Sequence, residues 1–207
     1  EQVGGEELKE GDHVKVYVVD VRETEKGPRA MISRTHPDLV KRLFETEVPE
    51  IYDGTVEIKA VSREAGSRTK LAVVSHNADV DAVGACIGAR GARVSSIVNE
   101  LGGEKIDIVE YSDDPAKFIA SALSPATVLS VVTAEDGSHA CRVTVPDSQL
   151  SLAIGNKGQN ARLAAKLTGW KIDIKPESGF YGEEETAEPK AGEEPAAEQE
   201  PAEAAEE

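Results

Sequence analysis

"CIGARGARVSSIVNELGGEKIDI" occupies residues 86–108, and a related stretch, "AIGNKGQNARLAAKLTGWKIDI", follows at 153–174. Ile87, Gly88, Arg90 and Gly91 overlay Ile154, Gly155, Lys157 and Gly158 at a separation of 67 positions. After a single gap, Leu101, Gly103, Lys105 and the "IDI" of 106–108 overlay Leu167, Gly169, Lys171 and the "IDI" of 172–174 at 66. Self-similarity of this extent marks a duplicated structural unit. Each copy places a Gly-x-x-Gly turn with a cation inside it directly before an amphipathic helix.

The surroundings give each unit an element order. In the second copy, Asp114-Pro115 is a capped helix start, Phe118, Ile119 and Leu123 form an apolar stripe, and Ser124-Pro125 stops it. "TVLSVVTA" and "HACRVTVP" flank "EDGS", a hairpin with Asp136-Gly137 at its turn. Asp147 is expected to cap "SQLSLAI"; the GNKG turn follows, then a helix over "QNARLAAKL" ended by Gly169 and a strand over "WKIDIK". The first copy repeats this order. "HPDLVKRLF" puts Leu39, Leu43 and Phe44 on one helical face, "TVEIKAV" and "TKLAVVS" are strands either side of "SREAGSR", and "DVDAVGACI" and "ARVSSIVNEL" flank GARG before "EKIDIVEY". The expectation is helix, strand, strand, helix, turn, helix, strand, folded as a three-stranded sheet with helices on one face.

A helix N-terminus presents unpaired N–H groups and about half a positive charge, which suits it to phosphate. Glycines at both ends of the turn remove the Cβ atoms that would hold a sugar-phosphate chain away. Arg90 and Lys157 add a cation at each tip, and Ile87 and Ile154 can line a groove for unpaired bases. In RNA recognition such a turn clamps about four nucleotides of single strand by the backbone. The candidate RNA-binding residues are therefore Ile87, Gly88, Ala89, Arg90, Gly91 and Arg93 in the first copy. In the second they are Ile154, Gly155, Asn156, Lys157, Gly158, Asn160 and Arg162. The missing GK[ST], and a helix rather than a strand before each turn, exclude a nucleotide-hydrolase P-loop. One such turn alone marks a tight turn between helices more often than a ligand site; the duplication is what raises it.

Net charge of −16 over 207 residues argues against nucleic acid until it is located. Residues 177–207 hold twelve Glu and one Lys, so the remainder carries only −5. That segment has little apolar content beyond Ala and is expected to be a disordered acidic tail. Cys86 and Cys141 have no CxxC or nearby His pair and read as buried thiols. His13, His36, His76 and His139 are scattered, so neither a metal site, a cofactor nor catalysis is expected. Trp170 reads as a core seal, with stacking on a base as the alternative. Neither a membrane span nor a secretory leader is visible, which makes the cytoplasm the expected location. The first residue is Glu1 rather than Met, so a piece of a longer chain is expected.

The element order and the paired turns resemble KH domains of the bacterial type. The tandem, with "SRTHPDLVKRLFETEVPEI", "GEKIDIVEY" and "VPDSQLSLAIGNKGQNARLAAKLTGWKIDI", is similar to that of bacterial transcription termination and antitermination factors from about residue 11 to 176. The resemblance implies an α+β fold of tandem type II (prokaryotic) KH domains over 35–110 and 111–176, with the tail at 177–207. It also gives residues 1–34 a meaning. "GDHVKVYVVDVRETEKGPRAMISRT" alternates Val14, Val16 and Val18 as a strand, then a Gly-Pro turn, then a second strand. It looks like the C-terminal strands of an S1-type OB barrel, five strands being too many for that length. By the same resemblance the partners are single-stranded nascent RNA and RNA polymerase, the latter mainly through a domain absent from this chain, and the protein is expected to be monomeric. The competing reading is a protein-interaction scaffold whose turns are only structural. A phosphorolytic ribonuclease also combines KH and S1 modules, but in the reverse order.

Overall fold

A computed structural model describes residues 2–179; the acidic tail beyond Gly179 lies outside the described residues. The chain opens with an irregular segment and a hairpin, β1 (Tyr17–Thr24) and β2 (Gly27–Ser33). Val14 and Val16 precede the strand, and Gly27-Pro28 lie within β2 opposite Thr24 and Glu23 rather than at the turn. The expected turn is thus displaced to Glu25-Lys26. The irregular segment is fastened to the rest of the chain by Arg34, whose guanidinium ion-pairs with Glu6, donates to the Lys15 carbonyl at 2.6 Å and to the Glu100 carbonyl at 2.9 Å.

The first unit comprises α1 (Pro37–Glu47), a single turn α2 (Pro49–Tyr52), β3 (Val56–Glu64), β4 (Arg68–Ser75), α3 (Ala82–Ile87), α4 (Ala92–Glu100) and β5 (Lys105–Glu110). Pro37 starts α1 at a position where its missing N–H costs nothing, and His36 Nδ1 accepts from the Asp38 N–H at 3.1 Å as the cap. Leu39, Val40, Leu43 and Phe44 are buried on the expected face. The strands overrun the sequence expectation: β3 and β4 consume most of "SREAGSR" and leave only residues 65–67 as the connection. The sheet order is β3-β4-β5, with β4 antiparallel to β3 and parallel to β5.

The second unit repeats this with α5 (Pro115–Ala122), β6 (Ser130–Thr133), β7 (Ala140–Val145), α6 (Leu150–Ile154), α7 (Gln159–Thr168) and β8 (Lys171–Pro176), in sheet order β6-β7-β8. Asp114 caps α5 by accepting from the Ala116 N–H at 3.0 Å, and Gly169 ends α7 at φ 74°. Asp147 does not cap α6 as expected. It begins a 3-10 turn, and its Oδ1 accepts from the Ser178 N–H at 3.1 Å. Trp170 falls just before β8, packs against the second core and lies 5.0 Å from the His139 ring.

The units share a core. The inner face of the first sheet, with Leu71 and Val73, packs on its own helices. The outer face presents Ala72 and Val109, which are buried instead among Phe118, Ile119, Ala122 and Leu123 of the second unit. Lys70, on the same face, is fully buried; Nζ donates to the Ser124 carbonyl at 2.7 Å and to Asp107 at 3.2 Å, and Asp107 also takes two bonds from Arg68. In the second sheet, Arg142 and Asp173 hold the places of Lys70 and Asp107, and Thr144 and Lys175 those of Ala72 and Val109. No helix covers that face among the described residues, and Arg142 and Asp173 are exposed. Cys86 and Cys141 are both free and buried, and burial pushes the Cys86 thiol up to about 12. No helix among the described residues is long and apolar enough to cross a membrane.

Candidate nucleic-acid interface

Both turns have one backbone. Gly88 has φ 74°, ψ 174° and Gly155 φ 79°, ψ 172°; Arg90 and Lys157 have φ 54° and 51°; Gly91 and Gly158 have φ 76° and 73° with ψ near 15°. Among the described residues only Arg90, Lys157 and His139 take positive φ without being glycine. Side chains rarely accept that region, so the turn geometry is held by its surroundings. It leaves Ala89, Arg90, Asn156 and Lys157 exposed at the two tips, each at the head of a helix, α4 or α7. Ile87 is 38% exposed beside the first turn, whereas Ile154 is half-buried against the second core.

The two glycines of each turn do different work. A Cβ on Gly88 would lie 2.6–3.0 Å from the Arg93 side chain, and one on Gly155 2.8 Å from both the nitrogen and the Cβ of Asn160. On Gly91 or Gly158 the nearest atom would be 3.9 or 4.0 Å away. The first glycine admits the neighbouring helix; the second supplies only the left-handed conformation and an open approach.

Three of the sequence-derived candidates are engaged in hydrogen bonds within the protein. Arg93 is half-buried, donating Nη1 to the Ala85 carbonyl at 2.6 Å and to Glu50 at 2.9 Å. Asn160 is 2% exposed, and its Nδ2 donates to the carbonyls of Ala153 at 3.0 Å and Leu123 at 3.1 Å. The two residues stand at matching places, and each satisfies a carbonyl left open near the end of the helix before its turn. Arg162 is exposed but engaged, with Nε donating to Glu64 at 2.7 Å and Nη1 to the Lys157 carbonyl at 3.1 Å. The hydrogen bonds from Arg162 and then Gln159 hold Glu64 below the usual carboxylate range. Glu64 and Gln159 escaped the sequence reading. Gln159 lies inside the quoted motif, but its partner is 95 residues away and no local spacing joins them.

The geometry offers two exposed, preformed turns of matching shape, each with a flexible cation and a helix N-terminus behind it, on units packed against each other. A cation and a helix N-terminus at one exposed turn are chemically suited to anions. Residues 34–111 match the model of the NusA-like first KH domain, and residues 115–181 that of the NusA-like second KH domain. The transcription termination/antitermination protein NusA of Bacillus subtilis is 62% identical over 178 residues, covering 86% of this chain and 48% of that protein. Its namesake from Halalkalibacterium halodurans is 61% identical over 178 residues, with 86% and 46% covered. That of Mycobacterium tuberculosis is 58% identical over 175 residues, with 84% and 50% covered. The chain spans about half the length of these relatives.

Proposed function

Since this chain belongs to the NusA family and carries its first and second KH domains in tandem, we propose that it is the part of a transcription elongation, termination and antitermination factor that grips nascent single-stranded RNA. The observation that carries the reading is the pair of turns with one backbone conformation, each presenting a basic side chain at its tip. Phosphates lie against Gly91 and Gly158, where nothing stands within 3.9 Å of a would-be Cβ, with Arg90 and Lys157 above them and bases in the grooves beside Ile87 and Ile154. Ala89 and Asn156 face the strand from the tips. Arg93, Gly88, Asn160 and Gly155 act beneath the turns, holding their shape. The protein works in the cytoplasm as a monomer without a cofactor, and RNA polymerase is engaged mainly through parts of the family's architecture outside this chain.

The hairpin supplies the closing strands of an S1-type barrel. The support for that reading is that Val18, Val19, Val21, Met31 and Ile32 are 46–59% exposed on it, apolar surface of the kind a barrel would bury.

Arg90→Asp with Lys157→Asp tests the RNA reading. Both positions are left-handed, where Asp is tolerated, so the fold is retained while the tip charge is reversed. Filter binding to an unstructured RNA of about eight nucleotides, twice the span of one KH unit, should show a loss of at least about tenfold, the effect of roughly 1.4 kcal/mol. Equal binding by the variant and the parent leaves the scaffold reading in its place.

A further inference from the structure

The second turn is braced from outside its own unit. Glu64 ends β3 of the first unit; Oε1 accepts from Arg162 Nε at 2.7 Å and Oε2 from Gln159 Nε2 at 2.8 Å. Gln159 Nε2 also donates to Ser67 Oγ at 2.7 Å. Arg162 then passes the constraint on, since its Nη1 donates to the carbonyl of Lys157 at 3.1 Å. A continuous chain of bonds thus runs from a carboxylate of the first unit to the backbone at the tip of the GNKG turn.

Among the described residues nothing equivalent stands behind the first turn. The atom nearest a Cβ on Gly91 belongs to Ser95, and the atom nearest one on Gly158 belongs to Arg162, so these two residues are counterparts. Serine cannot span to a neighbouring unit. The counterpart of Gln159 is Ala92, which has no polar side chain.

The brace is a poor device for stability alone. The Arg162 and Glu64 side chains are 46% and 25% exposed, a setting in which an ion pair contributes little. By charge alone Glu64 is also badly placed, an anion near a turn suited to phosphate. Arg90 takes the same left-handed conformation without such a tie, so the brace does not create the shape of the turn; what it adds is a restraint on the Lys157 carbonyl, fastening the tip to the first unit before any ligand arrives. Preorganisation of that kind reduces the ordering cost of binding.

We propose that Glu64 is a positioning residue for RNA at the GNKG turn, so that the first KH unit completes the RNA site of the second. This rests on the RNA reading above. Removing an anion near a phosphate site should tighten binding if charge is all that matters, so the sign of the effect discriminates.

The test uses the full chain and a fluorescein-labelled, unstructured RNA of about eight nucleotides, read by anisotropy, with Glu64→Ala in three backgrounds: parent, Arg90→Asp and Lys157→Asp. Positioning through the second turn weakens binding about fivefold, a coupling of about 1 kcal/mol, in the parent and in Arg90→Asp, and has no effect in Lys157→Asp. Unchanged or tighter binding in the parent, or an equal loss in the Lys157→Asp background, overturns the proposal. Glu64→Met, which keeps the side-chain length but has no oxygen to accept from Arg162, carries the same comparison if the alanine variant does not fold. If Arg90→Asp with Lys157→Asp itself binds as the parent does, the RNA reading has failed and the inference falls with it; sensitivity to that pair combined with indifference to Glu64→Ala defeats positioning alone.

Discussion

A Cβ on Gly155 would press on the backbone nitrogen of Asn160 at 2.8 Å, while one on Gly158 would meet only the end of the Arg162 side chain at 4.0 Å. Gly155 also combines positive φ with extended ψ, a region almost closed to other residues, whereas Gly158 lies in the left-handed helical region that Asn enters readily. Gly155→Ala should therefore cost about 3 kcal/mol or more, strain and overlap adding together. Gly158→Asn should cost less than about 1 kcal/mol. Urea denaturation of the two variants measures the difference, and similar midpoints would contradict the division of labour within the turn. The sequence makes both glycines visible but not their separate reasons, because the atom that crowds Gly155 comes from the helix after the turn. For the same reason Asn160 looks like a surface residue in the motif and lies in the interior.

At the scale of elements, the connection between β3 and β4 is anchored on a carboxylate from the loop before β5. Glu104 is fully buried; it accepts two bonds from Arg63 at 2.9 Å, one from the Gly66 N–H at 2.8 Å and one from Thr69 Oγ1 at 2.5 Å. Arg63 in turn donates to the His36 carbonyl, tying the start of α1 to the same point. Glu104→Ala leaves the Arg63 guanidinium buried and unpaired, and should lower stability by about 3–5 kcal/mol. Thermal unfolding followed by circular dichroism tests this, and a loss below about 1 kcal/mol would show that the pair is dispensable. Element order was legible from periodicity, caps and the repeat. The extension of β3 to Glu64 was not, because the residues concerned are polar and their pairing is fixed by Glu104, some forty positions on. Asp147 misled in the opposite way: a capping residue in a capping position was recruited by the Ser178 N–H instead.

For the molecule as a whole, Ala72 and Val109 belong to the second unit's core although they lie on the first unit's sheet. The two units should therefore unfold together, with Trp170 fluorescence and circular dichroism reporting one midpoint; separate transitions would show that the docking is weak. The junction should also respond to acid. Burial alone would raise Asp107, but the hydrogen bond from Arg68 and the charges of Lys70 and Arg68 outweigh it and hold the carboxyl below its ordinary value. A group depressed in the folded state contributes stability above its unfolded pKa of about 4 and loses it as pH falls through the folded value. Urea midpoints should accordingly drop below about pH 4 more steeply for the parent than for Asp107→Asn; parallel curves would remove Asp107 from the account. The outer face of the second sheet has a further consequence. Units that dock sheet to helix, each presenting a fresh sheet, describe a head-to-tail contact that has no natural end. Thr144 and Lys175 stand where Ala72 and Val109 stand one repeat earlier, and the Arg142–Asp173 pair is exposed, so the second sheet presents a polar face where the first presents an apolar one. That face therefore lacks the apolar pair through which the first sheet receives its neighbour, and a further copy would find no matching seat on it.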